Sequence, residues 1–276
     1  MNRVTVELRG GLGNQLFQVC GALTARSMGY TVDVDPTPLE ADPKRFLAIS
    51  ALLEALGIAV KSGASMRFSS FRRPRIVLTD PPGEFGDVRR LLAAREGDVI
   101  LRGYFQDRKN LTSHLQVLSE ALQKLPGNCA DIPSADLCLH IRRGDYVSER
   151  VTSEFHGNLG TDYYVAALRE LQFRNQFDSV LVYSDDVDFI SQMFVPEVAQ
   201  IFPDISFRCR TEPLSDPLEE VQFLSRHRSH VIANSTFSWW VATLSSSSAV
   251  VGPTRWWASA AAPSADGLRW PSWTWM

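Results

Sequence analysis

The chain predicts an α/β protein of two halves facing each other across a cleft, and three observations carry that prediction. A β-loop-α-β unit opens the sequence, strands and helices alternate again after residue 137, and a Pro- and Gly-bearing stretch separates the two patterns. With 276 residues, each half is large enough for its own core. The expected division is 1–126 and 127–276.

Val4–Leu8 alternates as a strand, and Gly10-Gly11-Leu12-Gly13-Asn14 makes a tight turn. Apolar residues at Leu16, Val19, Cys20 and Leu23 then follow helical spacing from Gln15 to about Gly29. Thr31–Asp35 is the next strand, ended by Pro36 and Pro38. A short helix is expected over Leu47–Leu56, and residues 62–84, rich in Ser, Arg and Pro, read as irregular connection. Val99–Leu101 predicts a strand running into Gly103-Tyr104-Phe105-Gln106, and a helix follows over Leu111–Leu125. Residues 126–134, with Pro126, Gly127, Asn128 and Pro133, are the linker.

In the second half, Leu137–Ile141 is a strand and Asp162–Leu171 a helix carrying Tyr163-Tyr164. Val180–Tyr183 is a strand, followed by Ser184-Asp185-Asp186 and a helix to about Phe194. Pro217–His227 predicts a helix with Asp216 as its N-cap. Val231–Ala233 is a strand, Asn234-Ser235-Thr236 caps a helix over Phe237–Leu244, and Ala249–Val251 is the last strand.

Composition narrows the function classes. Net charge is only −3, from 28 basic and 31 acidic residues, which argues against a nucleic-acid partner. No apolar run reaches the length of a membrane span. The amino terminus runs straight into a strand without a signal-peptide stretch, so a cytoplasmic location is expected. Cys20, Cys129, Cys138 and Cys209 are scattered and read as reduced thiols. The five histidines show no metal-ligand spacing, so no metal is expected. Asn110-Leu111-Thr112 and Asn234-Ser235-Thr236 match the glycosylation triplet, a pattern frequent by chance.

Chemistry concentrates in four segments. His140-Ile141-Arg142-Arg143-Gly144-Asp145-Tyr146 sets two guanidiniums where a strand opens into a loop. Ligands of α/β sheets settle at the carboxyl ends of strands, and the planar Arg fork suits a diphosphate. Gly10–Asn14, with Gly11, Gly13 and Asn14, lies between strand and helix, where backbone N–H groups favour an anion or sugar hydroxyl. It lacks the Lys-Ser/Thr of a P-loop and the dinucleotide glycine spacing. Asn234, Ser235 and Thr236 gather polar groups at a helix N-terminus that can hold a phosphate. Asp185 and Asp186 end a strand in the same half. One carboxylate there can accept from N1–H and the exocyclic amine of guanine and the other can cap the following helix, with Asp186 preferred for the base.

In their order, Gly-Gly-Leu-Gly-Asn-Gln-Leu-Phe-Gln at 10–18, Gly-Tyr-Phe-Gln at 103–106, His-Ile-Arg-Arg-Gly-Asp-Tyr at 140–146, Tyr-Ser-Asp-Asp at 183–186 and Ala-Asn-Ser-Thr-Phe-Ser-Trp-Trp at 233–240 resemble the bacterial α-1,2-fucosyltransferases. The resemblance spans most of the chain but not residues 62–86. It implies a GT-B-like fold of two Rossmann-like halves, an inverting reaction without a divalent metal or other cofactor, and GDP-fucose as donor. The expected acceptor is a galactose-terminated oligosaccharide, fucosylated at its 2-hydroxyl. By position, Arg142 and Arg143 would hold the pyrophosphate, His140 and Asp186 would contact guanosine, and Ser235 and Thr236 would support the phosphates. The glycine loop with Asn14 would approach the donor from the amino-terminal half. Asp145 matches the motif's acidic position, with ordering of the arginines as its expected role beside Arg142. Asp145, Glu149, Glu154 and His156 lie near the motif without one standing out as general base. The tryptophans of residues 256–275 are expected to pack the tail between the halves or to stack on sugar. A different nucleotide-sugar donor, or a GDP-sugar- or glycan-binding module without turnover, stays open.

Overall fold

The computed structural model describes residues 2–61, 75–81, 83–126, 135–246 and 249–276, with the side chains of residues 75, 145 and 148 outside the description. Two compact units divide the chain. One comprises Met1–Pro126 with Pro263–Arg269, and the other Gly127–Ala262 with Trp270–Met276. The step between units falls at 126/127, while residues 263–269, which the sequence suggests for the second unit, pack on the first. There Ser264 N donates to Gly83 O and Arg108 Nε to Arg269 O.

The first unit is built on five parallel strands: β1 (Arg3–Glu7), β2 (Thr31–Asp35), β3 (Ala59–Val60), β4 (Arg75–Thr79) and β5 (Asp98–Arg102), in the order β3-β2-β1-β5-β4. Val4 and Val6 of β1 are fully buried, and the Leu12–Ser27 helix packs Leu16, Phe17, Val19 and Leu23 inside. β4 corrects the expectation of irregular chain over 62–84. Ile76-Val77-Leu78 carries the strand signal, weakened because β4 lies at the sheet edge with Ile76 and Val77 exposed. The rest of that stretch, residues 62–74, and the linker residues 127–134 lie outside the described residues. The predicted helix over Leu111–Leu125 shortens to Leu115–Gln123, because Arg108–Asn110 forms a 3₁₀ turn capped by Asp107.

The second unit carries six parallel strands: β6 (Leu137–Ile141), β7 (Ser179–Ser184), β8 (Ser206–Cys209), β9 (Ser229–Val231), β10 (Ala249–Gly252) and β11 (Thr274–Trp275), in the order β11-β10-β9-β6-β7-β8. All five residues of β6 are buried, as expected of a strand covered on both faces. Leu139, Ile141, Val182 and Val231 pack with Tyr164 and Leu168 of the Thr161–Arg174 helix. Asp216 caps the Pro217–Leu224 helix, accepting from Leu218 N. The helix expected to stop near Phe194 continues through a π turn to Ile201. Pro196, which has no N–H to donate, lies just past that π turn, where the regular helical ladder is already interrupted. β10 is not the last strand, because the tail adds β11 beside it. Trp270 stacks on Trp239 and Trp275 on Trp273, with tilted contacts joining the two pairs, so these tail tryptophans pack inside the second unit.

Cys20 and Cys138 are free and buried, and burial pushes both thiols well up. Both glycosylation triplets are inaccessible, since Asn110 and Asn234 are 1% and 2% exposed. Among the described residues no helix is long and apolar enough to cross a membrane.

Candidate functional site

The strand orders place the sequence motifs. In the second sheet the chain runs outward from β6 through β7 to β8, then returns to build β9, β10 and β11 on the other side of β6. β6 and β9 therefore flank the topological switch point, where the connections part and leave a crevice at the strands' carboxyl ends. Arg142 and Arg143 follow β6, Asn234–Thr236 follow β9 closely, and Asp185 and Asp186 follow β7. Three separated segments thus meet at one edge.

Each guanidinium is aimed by its own carboxylate. Arg142 Nη1 pairs with Asp185 Oδ2 at 2.6 Å, and Asp185 Oδ1 accepts from the Arg143 backbone N–H at 2.9 Å. Arg143 Nε donates to Asp186 Oδ2 at 3.0 Å while its guanidinium lies over the Phe189 ring, 3.7 Å from the centroid. Asp186 Oδ1 accepts from Phe189 N, so Asp186 is also the cap of the helix after β7. The Arg142 guanidinium lies 5.2 Å from the Tyr146 ring centroid. These side chains are about a quarter to a third exposed, open to a ligand yet partly shielded.

His140 sits deeper. It is 5% exposed, stacked on Tyr183 and tilted against Phe237. Burial, with the Arg142 charge adding to it, holds its pKa down to about 3, so the ring is neutral at physiological pH. Asn234 faces inward: its amide donates to the carbonyls of His156, Gly157 and Trp256 and ties the turn to two neighbouring segments. Ser235 is the N-cap of the Thr236–Leu244 helix, with no side-chain cap bond. Tyr146 Oη donates to the Asn234 carbonyl at 3.2 Å and couples the arginine turn to the β9 turn. The backbone of Asp145 lies in the Gly144–Ser148 helix, with its side chain outside the description. Among the other acidic neighbours, Glu154 pairs with Arg150 at the surface and Glu149 accepts from Thr152. The His156 ring stacks on Tyr146.

The first unit repeats the logic. β1 and β5 flank its switch point, and the two amino-terminal motifs follow them directly. Gly10 has φ +75°, and Gly11 is the N-cap of the Leu12–Ser27 helix. Asn14 Oδ1 accepts from Gln106 Nε2 at 2.8 Å, and Gln18 Nε2 donates to Gly103 O at 2.9 Å, which lashes the β5 turn to the glycine turn. Gln15 donates to Gly10 O and Phe46 O and accepts from Ala48 N. Gly13 lies in the first helical turn. Phe105 holds φ +51°, unusual for a bulky side chain. Asp80 secures it by accepting from Gly86, Tyr104 and Phe105 backbone N–H groups, and burial raises the Asp80 pKa. Asp80 and Tyr146 are the positioning groups that the sequence does not single out. Asp80 has no motif around it, and Tyr146 reads simply as the end of one.

Among the described residues no group of three or more His, Cys, Asp and Glu side chains is placed to hold a metal ion. The arrangement offers oriented guanidiniums and a helix N-terminus to an anion, a pairing suited to a phosphate-bearing ligand.

The chain is similar to several known proteins. The chain is 27% identical over 283 residues to the alpha-1,2-colitosyltransferase of Escherichia coli, covering 93% of both proteins. It is 32% identical over 172 residues to the O-antigen biosynthesis glycosyltransferase WbnK of Escherichia coli, a match to 57% of this chain and only about half (55%) of that protein. Identity to the galactoside 2-alpha-L-fucosyltransferase of Caenorhabditis elegans is 23% over 264 residues, 88% of this chain and 69% of the relative. Among solved structures, the fucosyltransferase NodZ from Bradyrhizobium superposes with a TM-score of 0.50 at 15% identity, covering 89% of this chain and 93% of NodZ. The shared fold is of the GT-B type, α/β with two parallel sheets. Residues 97–274, from β5 through the arginine turn to β11, match the family described as Glycosyl transferase family 11, and on that match the chain belongs to glycosyl transferase family 11.

Proposed function

We propose that this family 11 glycosyltransferase transfers fucose from GDP-fucose to the 2-hydroxyl of a galactose-terminated glycan, with inversion and without a divalent metal. The observation that carries the proposal is the Arg142–Arg143 pair, held side by side at the β6/β9 switch point. The α-1,2 linkage is supported by the names of the colitosyl- and fucosyltransferase relatives, and the galactoside acceptor by the latter.

In this reaction the acceptor oxygen attacks the anomeric carbon from the face opposite the diphosphate. The new C–O bond forms as the bond to the β-phosphate oxygen breaks, and that oxygen takes the electron pair. The acceptor hydroxyl's proton passes to a base or to water. Arg142 and Arg143 meet the charge that develops on the leaving diphosphate, and the start of the Thr236–Leu244 helix adds partial positive charge. Ser235 and Thr236 support the phosphates there, while Gly11, Gly13 and Asn14 supply the corresponding turn in the first unit. His140, neutral and enclosed by aromatic rings, forms the wall of the nucleoside side.

A colitose donor is the second reading, favoured by the relative that matches 93% of the chain. Release of GDP from GDP-fucose, measured with and without lactose and in the presence of EDTA, tests the proposal. Lactose-stimulated release indifferent to EDTA is expected. Absent release with GDP still bound would favour a binding module, release abolished by EDTA would overturn the metal-free reaction, and turnover only with a colitose donor would establish the second reading.

A further inference from the structure

We infer that Asp185 is a positioning residue for the arginine pair, seated against Gly144, and not a reader of the nucleobase. The inference rests on the donor reading above. The sequence prefers Asp186 for the base without assigning a task to Asp185, and the geometry gives each carboxylate its own partners. Both Asp185 oxygens are engaged by the arginine turn, Oδ2 with the Arg142 guanidinium at 2.6 Å and Oδ1 with the Arg143 backbone N–H at 2.9 Å. A Cβ on residue 144 would overlap Asp185 Oδ2, so a glycine there is what lets the carboxylate come this close to the chain. Asp186 has a different task, with one oxygen capping the helix at Phe189 N and the other receiving Arg143 Nε.

Two physical effects of Asp185 oppose each other at a diphosphate. Its negative charge repels the ligand, and by that effect alone its removal would tighten binding. Its hold on Arg142 Nη1 orients the guanidinium before the ligand arrives, which spares the cost of ordering a long side chain on binding. The side chains of Asp185 and Arg142 are 25% and 26% exposed, so screening by water weakens the pair but does not cancel it. The backbone bond to Arg143 ties the same carboxylate to the shape of the turn itself. Orientation therefore outweighs repulsion, and losing Asp185 weakens diphosphate binding although the site becomes more positive.

The test is calorimetric titration of the full chain with GDP, pyrophosphate and guanosine, using the wild type, Asp185→Asn, Arg142→Ala and the double variant. Asp185→Asn is expected to weaken GDP and pyrophosphate about tenfold or more while guanosine affinity stays unchanged. In the Arg142→Ala background the same change should cost less than about threefold, because only the carboxylate's bond to the Arg143 backbone is then left to lose. Gly144→Ala adds one methyl and alters no charge, and should give the same pattern by pushing the carboxylate away. It also supplies the answer if Asp185→Asn fails to fold. GDP binding that tightens or stays constant in Asp185→Asn overturns the inference and leaves the donor reading standing. Guanosine affinity lost in parallel would make Asp185 a base contact, with the same consequence. Full additivity of the two changes would also overturn it. A wild type that binds neither GDP nor pyrophosphate would overturn the donor reading, and this inference with it.

Discussion

Arg142 and Arg143 are held differently, and the difference sets what each substitution should do. Arg142 has a carboxylate at its guanidinium and an aromatic face beside it, whereas Arg143 is clamped at both its backbone and its side chain by the two aspartates. Fixed positive groups aimed at a leaving group's charge are usually the largest catalytic contribution. Arg142→Ala is accordingly expected to lower kcat about 100- to 1000-fold, the loss typical of one oxyanion donor, with an unchanged melting temperature. Turnover within a fewfold of wild type would remove Arg142 from the reaction. Gly10 poses the complementary question in the first unit. Its φ of +75° disfavours any side chain, and an added Cβ would overlap the Asn14 amide. Gly10→Ala should cost roughly 1–2 kcal/mol from the left-handed backbone alone. It should also disturb the Asn14–Gln106 bond, so chemical denaturation and the donor KM should move together.

At the scale of elements, a carboxylate or amide on a different segment holds a motif-bearing turn within each unit. Asp80 pins the strained Phe105 turn after β5, and Asn234 pins the β9 turn to the segments around His156 and Trp256. Arg210 and Glu220 make a comparable tie in the second unit. Arg210, just past β8, forks onto Glu220 of the Pro217–Leu224 helix at 3.1 and 3.2 Å, and Glu220 also accepts from Leu214 N. Glu220 is 2% exposed, so removing its partner strands a buried charge. Arg210→Ala is expected to destabilise the protein by about 3 kcal/mol, while the double change with Glu220→Gln recovers part of the loss. A cost below about 1 kcal/mol, the range of exposed pairs, would show that water reaches the pair.

For the whole molecule, both units use one device, a parallel sheet whose order reverses beside the strand that carries the motif. Buried histidines set the acid response of the molecule, with His114 in the first unit also pulled down by burial. His140 and His230 of the second unit are held neutral by burial, each down to about 3, against about 6.5 for an exposed imidazole. A depressed histidine pKa means that only the unfolded chain takes up the proton between those values. Stability is therefore complete above pH 6.5 and falls as pH drops toward 3. Melting temperature measured from pH 7.5 to 4 should decline through that window, and His230→Gln should decline less steeply by one proton's worth of slope. Equal slopes in the two proteins would show that His230 titrates normally. His227, also pulled down by burial, adds in the same direction.

Sequence by itself determined the strands whose apolar runs are buried on both faces, above all β6, because a short apolar run between Pro133 and Gly144 is too brief for a helix. It determined the glycine turn, the Asp216 cap and the segments that carry chemistry, because turn and cap residues act through their own neighbours in the chain. The short or edge elements stayed hidden. β4 exposes Ile76 and Val77, β8 has only four residues, and β11 forms only beside β10, so their pairing comes from the sheet and not from local preference. Only the tertiary structure decided the division of labour between Asp185 and Asp186 and the reach of Tyr146 to Asn234. Only it sent residues 263–269 to the first unit. Each of these depends on contacts between segments tens of residues apart, and such contacts are set by sheet order, which a single sequence leaves open.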